Sequence, residues 1–430
     1  VRRLFLASIL GIVVALTGCP EDKPEPGEPT PPHWIGEDGT GTDTDPAGTT
    51  GLPMLDFVPI SFDEGPIEVT EFHFIPGTTH ELLLLEKDGF LDHLVLDGDA
   101  ATRLAQIAVP NVYSHLECGL LSLAFDPDFA SNGYFYVGSC TSLTDNAIQR
   151  LTWTPENYEA IPDSAVEIIS GGDPVTERPW HNIGSMGFDD AGVLWALFGE
   201  KTKQYNSQDT GTLLGALVRV IPSREPDVGG WEPAPDNPFA DGVDGHPAVY
   251  AWGLRSPWRG FLDPLGRYWI GDVGNDTSEE INLVTGPGAN LGWNLHEGFC
   301  LEDCDGFQDP LLVYGHTDSE SYVLADEFAE PVTTRAIWIA PTVTGSPGDP
   351  YGGVYDGHMF FGDFCSGFMR ALAVDAEGHV VTDEHVGHLT NVTSWAQAPD
   401  GTLYLSVYGT CKATTGGDPV GGLVRAVLAP

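Results

Sequence analysis

A short unit recurs along this chain: an apolar strand, a tight turn built on Asp, Pro or Gly, and a second apolar strand. Its clearest copy runs through Gly260–Leu262, the turn Asp263-Pro264-Leu265-Gly266, and Tyr268–Ile270. Pro suits the second position of a type I turn, and Gly takes the positive φ that closes it. Further copies are LSLAFDPDFASNGYFYVG at 121–138, MGFDDAGVLWALFGE at 186–200 and WAQAPDGTLYLSVYG at 395–409. A weaker copy, FHFIPGTTHELLLLEKDG, lies at 72–89, and VYDGHMFFGDFCSGFMRALAVDAEG at 354–378 is the sixth. Most are spaced by about one four-stranded blade, somewhat longer than the roughly 40–50 residues of common blades. Six such units predict an all-β chain folded as a six-bladed β-propeller of four-stranded antiparallel blades. A pair of β-sandwiches has no reason to repeat one strand–turn–strand unit six times.

By length alone, 430 residues suggest two or three domains. A propeller removes that tension, because its blades stack around one axis. The 53 Gly and 34 Pro, with no long helical periodicity, suit a turn-rich β protein. Acidic residues outnumber basic ones by 63 to 18, a net charge of −45, so no basic field exists to bind nucleic acid. The acidity reads either as a solvated surface or as carboxylate and carbonyl sites for divalent cations.

The chain begins VRRLFLASILGIVVALTGC. Two Arg before an apolar run of roughly 13 residues make a secretory signal, too short for a transmembrane helix. Leu16-Thr17-Gly18-Cys19 resembles the bacterial lipobox, which implies that Cys19 carries lipid and anchors an exported protein to the cell envelope. Pro20 after it leans toward the outer membrane in lipoproteins of this kind. Residues 20–51, rich in Pro, Gly, Thr and Asp, cannot bury a core and form a disordered tether. The propeller occupies 52–430, with Leu55–Phe62 expected to pair with the terminal GGLVRAVLAP. Six cysteines remain, an even count that implies disulfides in an exported chain. Their positions on the hairpins suggest Cys118–Cys140, Cys300–Cys304 and Cys365–Cys411; zinc at Cys300 and Cys304 lacks a second ligand pair nearby.

Three polar residues stand at the entrances of hairpins: Glu117, His181 and Arg255. Starts of equivalent strands converge around a propeller axis, so the three are expected to share a central site. A histidine changes charge near neutral pH and suits a general base, though a lone one is more often structural. Arg255, among Trp252, Pro257 and Trp258, reads equally as an ion-pair partner. The oxygen-rich stretch Gly271-Asp272-Val273-Gly274-Asn275-Asp276 suits a hard cation or a solvated turn, and lacks EF-hand spacing.

From about Gly119 to the C-terminus the chain resembles the glucose/sorbosone dehydrogenase family, soluble six-bladed propellers that use pyrroloquinoline quinone (PQQ). The matching segments include GLLSLAFDPDFASNGYFYVG, HNIGSMGFDDAGVLWALFGE, QDTGTLLGALVRVIP, AWGLRSPWRGFLDPLGRYWIGDVGNDTSEEINLV and GGVYDGHMFFGDFCSGFMRAL. The resemblance implies oxidation of a small sugar by hydride transfer to the quinone. It makes His181 the base and Arg255 the contact to the reactive quinone oxygens. Glu117 and Ser256 fall in the cofactor pocket, and the carbonyls of Gly274 and Asn275 on calcium. Where well-studied members carry a lysine and two arginines for the cofactor carboxylates, this chain has Cys365-Ser366 and Asn391-Val392-Thr393-Ser394. Asn391 is thereby a cofactor contact, and Arg255, Arg335, Lys201 and Lys203 are the cations expected to reach the ligand. The alternatives are a calcium-stabilised propeller that only binds a carbohydrate or surface partner, and a lactonase-type hydrolase.

Overall fold

The structure, a computed structural model, describes residues 51–62, 68–173, 175, 178–316, 335–412 and 419–430. The expected signal segment, Cys19 and residues 20–50 lie outside them. Each repeated unit forms the inner hairpin of one sheet. Val69–Phe74 pairs with Glu81–Glu86 in blade 1, Leu120–Phe125 with Tyr134–Cys140 in blade 2, and Ile183–Phe188 with Leu194–Phe198 in blade 3. Pro257–Leu262 pairs with Tyr268–Asp272 in blade 4, Ile337–Ile339 with Met359–Asp363 in blade 5, and Val392–Gln397 with Leu403–Lys412 in blade 6. Further antiparallel strands complete six blades. Two carry additions: Ser61–Phe62 runs parallel to the outer edge of blade 1, and the outer position of blade 3 is divided between Trp231–Pro233 and Val249–Trp252.

Local chemistry sets the turns. Asp263 Oδ1 accepts the amides of Leu265 and Arg267, both at 2.9 Å, while Gly266 closes the turn at φ +78°. The strands between such turns are apolar on both faces because each sheet is covered by a neighbour on either side; Leu82, Leu83, Leu84 and Leu85 are all fully buried. The core therefore divides into six apolar layers, one between each pair of adjacent blades. Blade 6 is closed by the other end of the described chain. Leu55–Pro59 pairs antiparallel with Pro419–Leu428, from Leu55 opposite Leu428 to Pro59 opposite Val424.

The first strands pack in a ring that closes from blade 6 back to blade 1. At its centre Arg259 of blade 4 donates to the carbonyls of Thr393 and Thr70, each at 2.5 Å, and pairs with Glu71 at 3.4 Å. Burial acts to raise the Glu71 carboxyl, but Arg259 and the Leu123 amide hold it below its usual range. The pair plugs the axis and leaves a separate opening at each end.

The cysteines depart from expectation at one place. Cys118 and Cys140 stand as two buried thiols instead of a disulfide, with Cys118 Sγ turned to Asn182 Oδ1 (3.5 Å) and the Ser142 carbonyl (3.8 Å). Cys300 and Cys304 form a disulfide. The side chain of Cys411, the expected partner of Cys365, lies outside the described residues.

Candidate active site

The axial opening on the side where the first strands begin is a cavity that all six blades reach. Its wall has two rings. Thr70, Leu121, Asn182, Ser256 and Thr393 come from the starts of first strands, Lys87, Val273 and Phe364 directly follow second strands, and Tyr408 lies within one. An antiparallel hairpin brings these two points together.

Glu117 lies in the wall, and its Oε2 accepts the His181 amide at 3.1 Å. His181 takes a positive φ of 54° just before its strand. Its Nδ1 lies 2.6 Å from Oε1 of Glu200, a carboxylate buried to 1 % exposure at the end of the partner strand. Gly199 permits this approach, since a Cβ there would sit 2.4 Å from the His181 carbonyl oxygen. The Glu200 amide donates to the Arg255 carbonyl at 2.9 Å, joining the histidine of blade 3 to the arginine of blade 4.

Arg255 is fixed at both ends. Its amide and that of Ser256 donate to the two oxygens of Asp272, at 2.8 and 2.7 Å. Its guanidinium donates to the Val273 carbonyl (2.8 Å) and to Asn275 Oδ1 (3.1 Å), over the ring of Trp293. Burial raises the Asp272 carboxyl to about 7 against the pull of those amides. Burial and the Asp272 charge raise its cross-strand neighbour Glu280 to about 8. The 274–278 loop wraps one carboxylate: Glu297 Oε1 accepts the amides of Asn275, Asp276, Thr277 and Ser278 at 2.6–3.3 Å. Only Gly fits at 274, where a Cβ would meet the Ser278 carbonyl oxygen at 1.8 Å.

Of the expected site residues, Glu117 and Ser256 line the cavity, His181 and Arg255 bond to the wall residues Glu117 and Val273, and Gly274 and Asn275 follow Val273 in the chain. Asn391, like Arg255, stands behind the wall and bonds to residues that form it, Phe364 and Tyr408. At φ 62°, Asn391 spends its side-chain amide on the Tyr408 carbonyl (3.3 Å) and its main chain on the link between blades 5 and 6.

The sequence profile of the glucose/sorbosone dehydrogenase family matches residues 68–410. The chain belongs to this family. It is 26% identical over 246 residues to the aldose sugar dehydrogenase YliI of Escherichia coli, covering 54% of this chain and 62% of that protein. It is also 26% identical over 293 residues to the HIPL1 protein of Arabidopsis thaliana, covering 53% and 41%. Both matches span less than two thirds of the relative's length. The PQQ-bound aldose sugar dehydrogenase of Streptomyces coelicolor superposes with a TM-score of 0.64 at 23% identity, over 88% of this chain and 98% of that one. The soluble aldose sugar dehydrogenase of Escherichia coli, in its apo form, gives 0.65 at 18% identity over 87% and 99%. These likenesses show a shared fold.

Within this glucose/sorbosone dehydrogenase fold, two of the four expected cations are committed elsewhere. Lys201 is fully buried and donates to Asn182 Oδ1 at 2.6 Å, and Lys203 pairs with Asp173 at 2.7 Å. Arg335 is buried one residue before Ala336 of the wall. A cation that reasoning from strand starts misses, Lys87, lies in the wall itself. Its signal was positional: it directly follows the second strand of its hairpin, as Val273 and Phe364 follow theirs. Glu200 escapes in the same way, one residue further on.

Proposed function

We propose that this chain is a sugar dehydrogenase that oxidises an aldose-type hydroxyl with PQQ and calcium. The observation that carries the reading is the 2.6 Å contact between His181 Nδ1 and Glu200 beside the axial cavity. A carboxylate on Nδ1 fixes that nitrogen as the protonated one and leaves Nε2 to take a proton from a substrate hydroxyl. A preformed base of this kind favours catalysis over binding alone. The cavity also suits a flat anionic ring system: Leu121, Pro257, Trp258, Val273 and Phe364 give it apolar walls, and Arg255 and Lys87 are the cations at hand. When bound, PQQ supplies the hydride acceptor, with calcium as a Lewis acid beside it. The Gly274 and Asn275 carbonyls would hold the cation. Arg255, already oriented by Val273 and Asn275, supplies fixed positive charge where negative charge develops. Ser256 and Glu117 line the same pocket. In the same proposal Cys19 carries a lipid, and residues 20–51 tether the exported propeller to the bacterial envelope, at the outer membrane.

The test is reconstitution with calcium and PQQ, followed by dye reduction with a panel of aldoses. His181→Gln is expected to lower kcat by about 10²–10⁴ while the protein still binds quinone. Unchanged turnover in that variant would end the assignment.

A further inference from the structure

We propose that Lys87 is the residue through which this chain binds a carboxylate of its planar quinone ligand, at a place in the cavity opposite Arg255. The inference rests on the dehydrogenase reading above and adds the group that recognises the ligand's acid function.

The lysine is built into the wall. It is 7 % exposed, and both main-chain groups are used: its amide donates to the Glu68 carbonyl (2.9 Å) and its carbonyl accepts the Leu120 amide (3.0 Å). Its stem passes over Gly119, where a Cβ would sit 2.4 Å from Lys87 Cγ and 2.5 Å from its carbonyl oxygen. Glycine there lets the ammonium reach the axis. The ammonium donates to Tyr408 Oη at 3.0 Å and to Glu68 Oε2 at 3.3 Å. An ammonium has three donors, so one is left for a ligand. Lys87 comes from blade 1 and Arg255 from blade 4, which stand across the axis in a ring of six. A flat ligand lying between them meets a cation at each side and apolar side chains on its faces.

Charge argues the same way. An ammonium enclosed by an apolar wall is costly unless a negative group answers it. Glu68 does so in the free protein, but its side chain is 39 % exposed. A ligand carboxylate in the cavity would take up the remaining donor and compete with Glu68 for the ammonium. Cys365, Ser366 and Asn391, on the blade 5–blade 6 side, supply no positive charge. The resident cation is on the other side of the blade 6–blade 1 seam.

The test compares two probes on the calcium-loaded full propeller: PQQ and its uncharged trimethyl ester, followed by titration calorimetry and tryptophan quenching. Lys87→Met keeps the stem and removes the charge. It is expected to weaken PQQ binding tenfold or more, to flatten its salt dependence, and to leave ester binding within twofold. Glu68→Gln removes the competing carboxylate and is expected to tighten PQQ binding several-fold. Equal PQQ affinity in wild type and Lys87→Met, or an equal loss for acid and ester, overturns the role of Lys87 and leaves the dehydrogenase reading standing. Failure of the wild type to bind PQQ at all overturns both. Should Lys87→Met not fold, Glu68→Gln decides, and an unchanged affinity there counts against the inference.

Discussion

At the scale of single residues the chemistry rests on a few side chains held by main-chain geometry. His181 sits at a positive φ, its ring set by Glu200 and its amide by Glu117. Glu200→Gln keeps the size of the partner but loses its charge, and is expected to lower kcat at least about tenfold with little change in KM. Steady-state kinetics on the reconstituted variant check this, and a rise in KM with kcat unchanged would assign Glu200 to substrate binding instead. Gly119 is the stricter case. A methyl group there meets both the stem and the backbone of Lys87, so Gly119→Ala is expected to cost about 1–3 kcal/mol, read as a lower denaturant midpoint. Neither role was legible from sequence. Glu200 and Lys87 share a position just past the second strand of a hairpin, a signal that shows only once the blades are aligned with one another.

The blade is the element, and here the sequence was informative. The turns are local objects: Asp263 caps its own turn and Gly266 takes the φ it needs, so each hairpin announces itself. Outer strands are less readable. The division of the blade 3 edge between two short strands depends on a long connection packing back onto Ala216–Pro222. Cys118 and Cys140 do come together as expected, but as two neighbouring buried thiols, with Cys118 Sγ also 3.5 Å from Asn182 Oδ1 of the next blade. Blade 1 also carries a titratable cluster. Burial and the neighbouring Asp92 charge raise the Glu86 carboxyl from 4.5 to about 7, although Arg103 works against them. Between those values the folded protein keeps a proton that the unfolded chain has released. That contribution to stability is complete below pH 4.5 and is lost as pH rises through 7. Glu86→Gln is expected to flatten this fall, measured as urea midpoints at acid and neutral pH. A parallel pH dependence in the variant would assign it to other groups.

For the whole molecule, closure is the decisive contact. Leu55–Pro59 supplies the last strand of blade 6 and puts Leu55 into the layer between blades 5 and 6. Removing the chain through Pro59 would strip that layer and expose the edge of Pro419–Leu428. The expected loss is about 3 kcal/mol or more, since burying one leucine contributes about 2, with association through the bare edge. Unchanged unfolding in the shortened protein would contradict the role of this strand. The proposed chemistry lies at the axial cavity, where His181, oriented by Glu200, would take a hydroxyl proton from the sugar while a bound quinone accepts the hydride. The most direct measurement is a single-turnover experiment. Protein loaded with calcium and one equivalent of PQQ is mixed with an aldose in the absence of dye, and the quinone absorbance is followed. The wild type is expected to bleach the quinone in one fast phase, while His181→Gln binds it equally and bleaches it at least about a hundredfold more slowly. A wild type that binds the quinone and leaves it oxidised with every aldose, or a His181→Gln protein that reduces it at the wild-type rate, would contradict the proposed chemistry.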